Sequence, residues 1–186
     1  MFGVGTAGNV AVWAGSLKES VAFGVTLDGG SASDFRAYSS AAGTSYPSGD
    51  PVYNAPSTNG SDPYYAVYTS QSAPAAQVGL FAGQIGSTDL GETSFRWARV
   101  EIAVSGGFAT WSIDGTPLAT IDLSTVTLGG GNIFFGHGDT NGSSSIDPND
   151  YLLNVTLIDN VEVVPEPATA MLLTFGSAFV LRRRRR

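Results

Sequence analysis

The oxygen donors best suited to binding a metal ion lie in one polar loop, residues 139–150. The loop combines carboxylates and side-chain amides, the hard ligands that calcium prefers, at Asp139, Asn141, Asp147 and Asp150. Their spacing differs from that of an EF-hand, and no glutamate closes the loop. These four residues are therefore the candidate ligands of a calcium ion, and the sequence predicts no other cofactor. The alternative is a solvated turn whose Asn and Asp side chains bond the local backbone.

Tyrosine side chains offer a second chemistry, the binding of sugar rings. Six of the seven tyrosines lie between Tyr38 and Tyr68, and Tyr46 and Tyr53 fall in a glycine-, proline- and serine-rich loop where burial is least expected. Aromatic faces can pack against the apolar faces of sugars while nearby polar groups bind hydroxyls. We therefore predict a glycan-binding site at Tyr46, Tyr53 and Tyr64. The alternative is that the loop tyrosines fold back on a sheet.

The residue patterns that support catalysis are missing from the chain. Glu101 stands alone among apolar residues, whereas retaining glycoside hydrolysis needs two carboxyl groups about 5–5.5 Å apart. His137 is the only histidine, and no Gly-x-Ser-x-Gly elbow accompanies it. The chain has no cysteine, which excludes thiolate metal sites and a cysteine nucleophile. The sequence thus predicts that the protein is not an enzyme.

Charge argues against nucleic acid as a partner. Four basic residues precede the last five positions, against 16 acidic residues in the chain, so residues 1–181 carry a formal net charge of −12. Binding to phosphate groups depends on lysine and arginine. We therefore expect no nucleic-acid partner.

The last 23 residues combine three features in a fixed order. Val164, Pro165, Glu166 and Pro167 come first, and the two prolines stop a regular helix or central strand. Residues 168–181 are uncharged and predict a transmembrane helix about 21 Å long, short of the ~30 Å hydrocarbon core. Each central arginine costs roughly 2.5–3.5 kcal/mol in a membrane, so the final cluster should stay in the cytoplasm and leave the rest outside. This cluster consists of Arg182, Arg183, Arg184, Arg185 and Arg186.

This order of proline box, apolar helix and arginine cluster resembles the PEP-CTERM sorting signal of Gram-negative bacteria. The resemblance implies that exosortase, a membrane-embedded cysteine protease or transpeptidase, is a partner that acts near residues 164–167. It also implies export, a transient stay in the inner membrane, and delivery to the cell surface or to a polysaccharide-rich biofilm matrix. The alternatives are a plain tail anchor and a buried C-terminal helix with a basic, solvated end.

The chain starts without the basic and apolar regions of a secretory signal peptide. Since a protein with an export-dependent C-terminal signal needs such a peptide, we expect the body, residues 1–163, to be N-terminally truncated. A signal peptide, and with it a first strand, would then lie upstream.

Alternation of apolar and polar residues predicts that the body is one domain of short strands. Residues 21–28 and 96–104 follow this period of two, and Asp114-Gly115 between two alternating runs predicts a hairpin over residues 108–123. Residues 71–81 fit either a short helical turn or an edge strand, and residues 39–62 fit a loop. We predict an all-β antiparallel β-sandwich, residues 1–163, followed by the sorting signal, residues 164–186, with its transmembrane helix. Further strands are expected at residues 35–38, 64–68, 132–136 and 152–163.

The hairpin around Trp111, residues 129–136 and the closing residues 157–163 resemble the end of a concanavalin A-like or laminin-G-like jelly roll. The resemblance implies two packed antiparallel sheets with a glycan-binding face. Glycanases of this superfamily carry a Glu-x-Asp-x-x-Glu strand, which is absent here. We therefore expect a non-catalytic carbohydrate-binding module. The alternatives are a purely structural surface protein and a degenerate glycan hydrolase.

Overall fold

The computed structural model describes residues 1–8, 19–26, 33–42, 44–83, 85–137 and 156–164. The chain divides into two units, Met1–Asn154 and Val155–Arg186, and the elements below belong to the first. They are mostly strands in two antiparallel sheets with very little helix, which confirms the predicted all-β class. The strands are β1 (Phe2–Thr6), β2 (Val21–Val25), β3 (Phe35–Ser39), β4 (Val100–Ser105), β5 (Phe108–Ile113), β6 (Thr116–Asp122) and β7 (Asn132–Phe135).

The first sheet has the order β3-β2-β1-β7. Its β2, β3 and β7 confirm strands predicted within residues 21–28, 35–38 and 132–136. The strand β1 was not predicted, because the glycines at positions 3 and 5 interrupt its apolar pattern. Gly3 has a packing role: a Cβ there would lie 2.3 Å from the Phe134 ring of the neighbouring β7. The ring thus occupies the space that the missing side chain leaves.

The second sheet has the order β4-β5-β6 and contains the predicted hairpin. Asp114 and Gly115 connect β5 to β6 with φ angles of +50° and +81°. Two successive positive φ angles characterise a type I′ turn, whose twist matches that of the flanking strands. The strand β4 pairs with β5 and confirms the strand predicted within residues 96–104.

Both sheets contribute residues to one hydrophobic core. The ring of Phe23 on β2 stacks on the ring of Trp111 on β5, with a centroid distance of 5.3 Å. Phe35 on β3 stacks on Tyr65, with a centroid distance of 4.0 Å. Buried aromatic rings remove large apolar areas from water, so these contacts contribute strongly to the stability of the body.

Two other expected elements take a definite form in the structure. The strand predicted at residues 64–68 is wrong: Pro63–Val67 forms a 3₁₀ helix. This segment forms a helix for a local reason. Pro63 suits the first helical turn, and the Asp62 carboxylate accepts a hydrogen bond of 2.9 Å from the Tyr64 backbone amide. Residues 71–81 adopt the helical alternative, as the short helix α1 (Ala75–Leu80).

A closing strand was predicted at residues 152–163. For residues 156–163, which the structure describes, this prediction is wrong, since they form neither strand nor helix. Asn160 has a φ of +52°, a backbone conformation that is incompatible with a continuous strand. The backbone amide of Asn160 donates a hydrogen bond of 2.7 Å to the neighbouring Asp159 carboxylate. Residues 152–155 of this prediction lie outside the described residues.

Within the described part of the chain, no helix has the length and apolar character needed to cross a membrane. The helix predicted at residues 168–181 lies outside the described residues. The predicted domain boundary between residues 163 and 164 stays a prediction.

Candidate functional site

Tyr53 belongs to the interior of the protein. The segment around it runs beside β6, where Asn54 N donates to Leu118 O at 3.0 Å and Thr120 N donates to Val52 O at 2.7 Å. This added edge leaves Tyr53 only 7% exposed. The expectation of an exposed Tyr53 is therefore wrong, because long-range pairing with β6 turns its ring into the core.

The Tyr53 hydroxyl connects two distant parts of the backbone. It accepts a hydrogen bond from Ala37 N at 2.9 Å and donates one to Tyr46 O at 3.0 Å. Burial raises the pKa of Tyr53 to about 12, so the hydroxyl keeps the proton that it donates. This side chain fastens the loop to β3.

Tyr46 and Tyr64 are half-buried, and their hydroxyls also bond within the protein. The Tyr46 hydroxyl lies 2.7 Å from Ser39 Oγ, and the Tyr64 hydroxyl donates to Pro117 O at 2.6 Å. Both rings pack against the core, which is the folded-back arrangement weighed as the alternative. Glycan binding by Tyr46, Tyr53 and Tyr64 stays a prediction.

The predicted calcium ligands, Asp139, Asn141, Asp147 and Asp150, lie outside the described residues. In the ranges that the structure does describe, no three His, Cys, Asp or Glu residues are grouped to hold a metal ion. Calcium binding at the four predicted ligands stays a prediction.

Glu101 and His137 are both exposed. The Glu101 carboxylate forms an ion pair with the Arg99 guanidinium at 3.1 Å, and its cross-strand neighbour on β5 is Ser112. The ion pair places a cation beside Glu101, and the register places Ser112 opposite it.

The interior contains two carboxyl groups that sequence reasoning missed. Asp34 accepts hydrogen bonds from Thr26 Oγ1 at 2.8 Å and from Gly60 N at 2.7 Å. Glu92 is also buried, and its Oε1 lies 2.7 Å from the point that a Cβ on Gly60 would occupy, while Asp34 Oδ2 lies 3.3 Å from that point. Both carboxyl groups therefore face Gly60. No local sequence signal could have found this group, since its members are far apart in the chain.

Two exposed aromatic rings lie on the second sheet or just before its first strand. Trp97 is 69% exposed and Phe108 is 46% exposed. Asp114 holds the segment that carries Trp97, because it forms an ion pair with Arg96 and accepts a hydrogen bond of 2.8 Å from Arg99 N. The alternation within residues 96–104 could have identified Trp97, since it shares its parity with the outward-facing Arg99 and Glu101.

The proline box lies beyond an exposed stretch of chain. Val163 and Val164 are both exposed, as are residues 156–162 before them. The other predicted sorting residues, Pro165, Glu166, Pro167 and Arg182 to Arg186, lie outside the described residues. An exposed segment without helix or strand is the form of backbone that proteases cut most readily.

The model of one protein family, described as the PEP-CTERM protein-sorting motif, matches residues 163–186. No curated protein and no solved structure gives a significant match to the chain. The match confirms the predicted sorting signal, and signals of this kind are recognised by exosortase. The motif therefore indicates a protein that is exported and sorted to the cell surface in Gram-negative bacteria.

Proposed function

We propose that the chain is an exosortase substrate whose body is a non-catalytic glycan-binding domain at the cell surface or in the extracellular matrix. The observation that carries this proposal is the sorting motif at residues 163–186, preceded by an exposed segment. The motif defines the delivery route, and the exposed surface of the body supplies the binding function.

Sorting would proceed in three steps. The arginine cluster at residues 182–186 halts translocation, because arginine is costly to move into a membrane. The apolar helix at residues 168–181 then holds the chain in the inner membrane for a limited time. Exosortase acts near residues 164–167, after which the body is released or attached outside.

Processing in a Gram-negative host, with and without exosortase, tests this route. Glu166→Gln removes the carboxylate of the proline box, and Glu162→Gln makes the same change just outside the motif. We expect exosortase to shorten the wild-type chain and the Glu162→Gln variant, measured by intact mass, and to leave Glu166→Gln at full length. Equal masses of the wild-type chain with and without exosortase would contradict the route.

The body would be an antiparallel β-sandwich of the jelly-roll type. Two antiparallel sheets that share one core support this architecture. The proposal of a non-catalytic body is supported by the ion pair of Glu101 with Arg99. The polysaccharide partner is supported by the exposed aromatic rings of the second sheet.

Binding of the full chain to a panel of polysaccharides, with and without calcium, tests the role of the body. Saturable binding without turnover is the expected result. If the folded chain binds no polysaccharide, the result would favour the alternative, a purely structural surface or biofilm protein. Glycan turnover that is lost in Glu101→Gln would instead indicate a degenerate hydrolase.

A further inference from the structure

The second sheet has an outer face on which side chains of one parity are exposed. Along the extended run that ends in β4, Trp97, Arg99, Glu101 and Ala103 are exposed. The residues between them, Ala98, Val100 and Ile102, pack against the core. Because successive side chains of a strand point to opposite sides, the exposed residues share one face.

The strands β5 and β6 extend this face sideways. Phe108, Thr110 and Ser112 alternate with the buried Ala109, Trp111 and Ile113. The register places Ser112 opposite Glu101 and Thr110 opposite Ala103. On β6, Thr120 continues the row, with its Oγ1 3.1 Å from Thr110 Oγ1. The exposed Asp122 lies opposite Phe108 in the same row. We call this set the outer face; it comprises Trp97, Arg99, Glu101, Ala103, Phe108, Thr110, Ser112, Thr120 and Asp122.

Exposed aromatic rings occupy the two ends of the outer face. Trp97 lies at one end, and Phe108 lies at the other end, opposite Ser105. β4 begins three residues after Trp97, and the eight residue steps from position 97 to position 105 span at most roughly 26 Å when fully extended. Charged groups and hydroxyls fill the space between the rings. This length suits a chain of several sugar units better than a single sugar.

The backbone on both sides of the exposed Trp97 is held in place. The neighbouring Arg96 guanidinium forms an ion pair with Asp114 and lies 5.8 Å from the centroid of the buried Tyr68 ring. On the other side, Arg99 N donates a hydrogen bond of 2.8 Å to the Asp114 carboxylate. Asp114 N in turn donates one of 2.8 Å to Arg99 O. A backbone segment that is already fixed loses little entropy on binding, which favours a ligand that rests on it.

The charges of the protein argue against a polyanionic ligand. Residues 1–181 carry a formal net charge of −12, which repels polyanions. On the face itself, Arg99 is paired with Glu101 at 3.1 Å, so the pair presents donors and acceptors together without a net charge. Sugar hydroxyls are both donors and acceptors and complement such a pair.

We propose that the outer face binds an extended, neutral polysaccharide, whose sugar rings stack on Trp97 and Phe108 and whose hydroxyls bond Arg99, Glu101 and Thr110. This proposal rests on the proposed glycan-binding function and gives it a location and a ligand class. The location differs from the one predicted at Tyr46, Tyr53 and Tyr64.

Binding of the full chain to a soluble β-glucan and a galactomannan, with alginate as the acidic probe, tests the proposal. We expect Trp97→Ala and Phe108→Ala each to weaken binding of a neutral probe about tenfold, because each removes one stacking ring. Trp97→Phe keeps a ring and should restore most of the affinity. Leu80→Ala, a change at a 78% exposed residue on α1, is the matched control and should leave binding unchanged.

Each other outcome overturns a separate part of the proposal. Unchanged binding in Trp97→Ala and Phe108→Ala, with loss in Tyr46→Ala and Tyr64→Ala, would move the site to the tyrosines and keep the glycan-binding function. Binding of alginate alone would overturn the neutral ligand. No glycan binding by the folded wild type would overturn the function itself. Dimerisation that Trp97→Ala abolishes would then assign the face to a second copy of the chain.

Discussion

Gly91 marks a close contact between two loops of the body, and its replacement gives a sharp test of the structure. Its φ is +95°, and an added Cβ would lie 1.9 Å from the carbonyl oxygen of Gly60. The Gly91 amide also donates to Tyr68 O at 2.8 Å. Alanine at this position therefore meets both an unfavourable backbone conformation and a backbone atom that cannot move away easily.

The backbone conformation and the clash each lower the free energy of unfolding, and the size of each effect can be estimated. A left-handed conformation costs an alanine roughly 1–2 kcal/mol. A clash in a well-packed interior adds about 1–3 kcal/mol, so Gly91→Ala should lower the free energy of unfolding by about 2–5 kcal/mol. Gly107, in the turn between β4 and β5, has a similar φ of +84° but no described atom within 4 Å of an added Cβ. Gly107→Ala should therefore lower the free energy of unfolding only by the backbone cost of roughly 1–2 kcal/mol.

Urea denaturation of the full-length variants, followed by tryptophan fluorescence, measures both losses. We expect Gly91→Ala to be less stable than Gly107→Ala by at least about 1 kcal/mol, at an unchanged m-value. Equal losses in the two variants would refute the close approach of Gly91 to Gly60.

Three further predictions concern buried groups and the polar loop. Tyr53→Phe should lower the free energy of unfolding by about 1–3 kcal/mol, because the buried Ala37 amide loses its acceptor; a loss no larger than that of Tyr46→Phe in urea denaturation would contradict this. Burial raises the pKa of Tyr53 and Tyr68 to about 12 in the folded protein, so stability should be full below pH 10 and should fall as the pH rises from 10 to 12; a urea midpoint that stays constant over this window would contradict it. If the polar loop binds calcium, Asp139→Ala combined with Asp147→Ala should abolish the calcium-dependent rise in Tm, and an unchanged rise would exclude these ligands.

Much of the fold could be predicted from the sequence wherever the cause is local. The hairpin at Asp114-Gly115 is an example, because the turn and its two alternating strands are neighbours in the chain. The 3₁₀ helix Pro63–Val67 is a failure of the same method. Its tyrosines and valine favour a strand, but Asp62 and Pro63 begin a helical turn, and this start signal prevailed.

The candidate site was harder to predict, because exposure depends on contacts between distant residues. Tyr53 lies in a polar loop by sequence, yet pairing with β6 buries it. Trp97 shares the alternation of the outward-facing Arg99 and Glu101, but only the fold shows that Phe108 belongs to the same sheet face. The carboxyl groups of Asp34 and Glu92 meet at Gly60 without any shared motif.

The sequence by itself determined the sorting signal, the absence of cysteine, the acidic charge and the central hairpin. Each of these depends on the order or the number of residues, which folding does not change. The tertiary structure alone decided which aromatic rings are buried and which remain available to a ligand. The physical reason is that burial is set by the partners that a side chain meets, and in this protein those partners come from strands and loops far away in the chain.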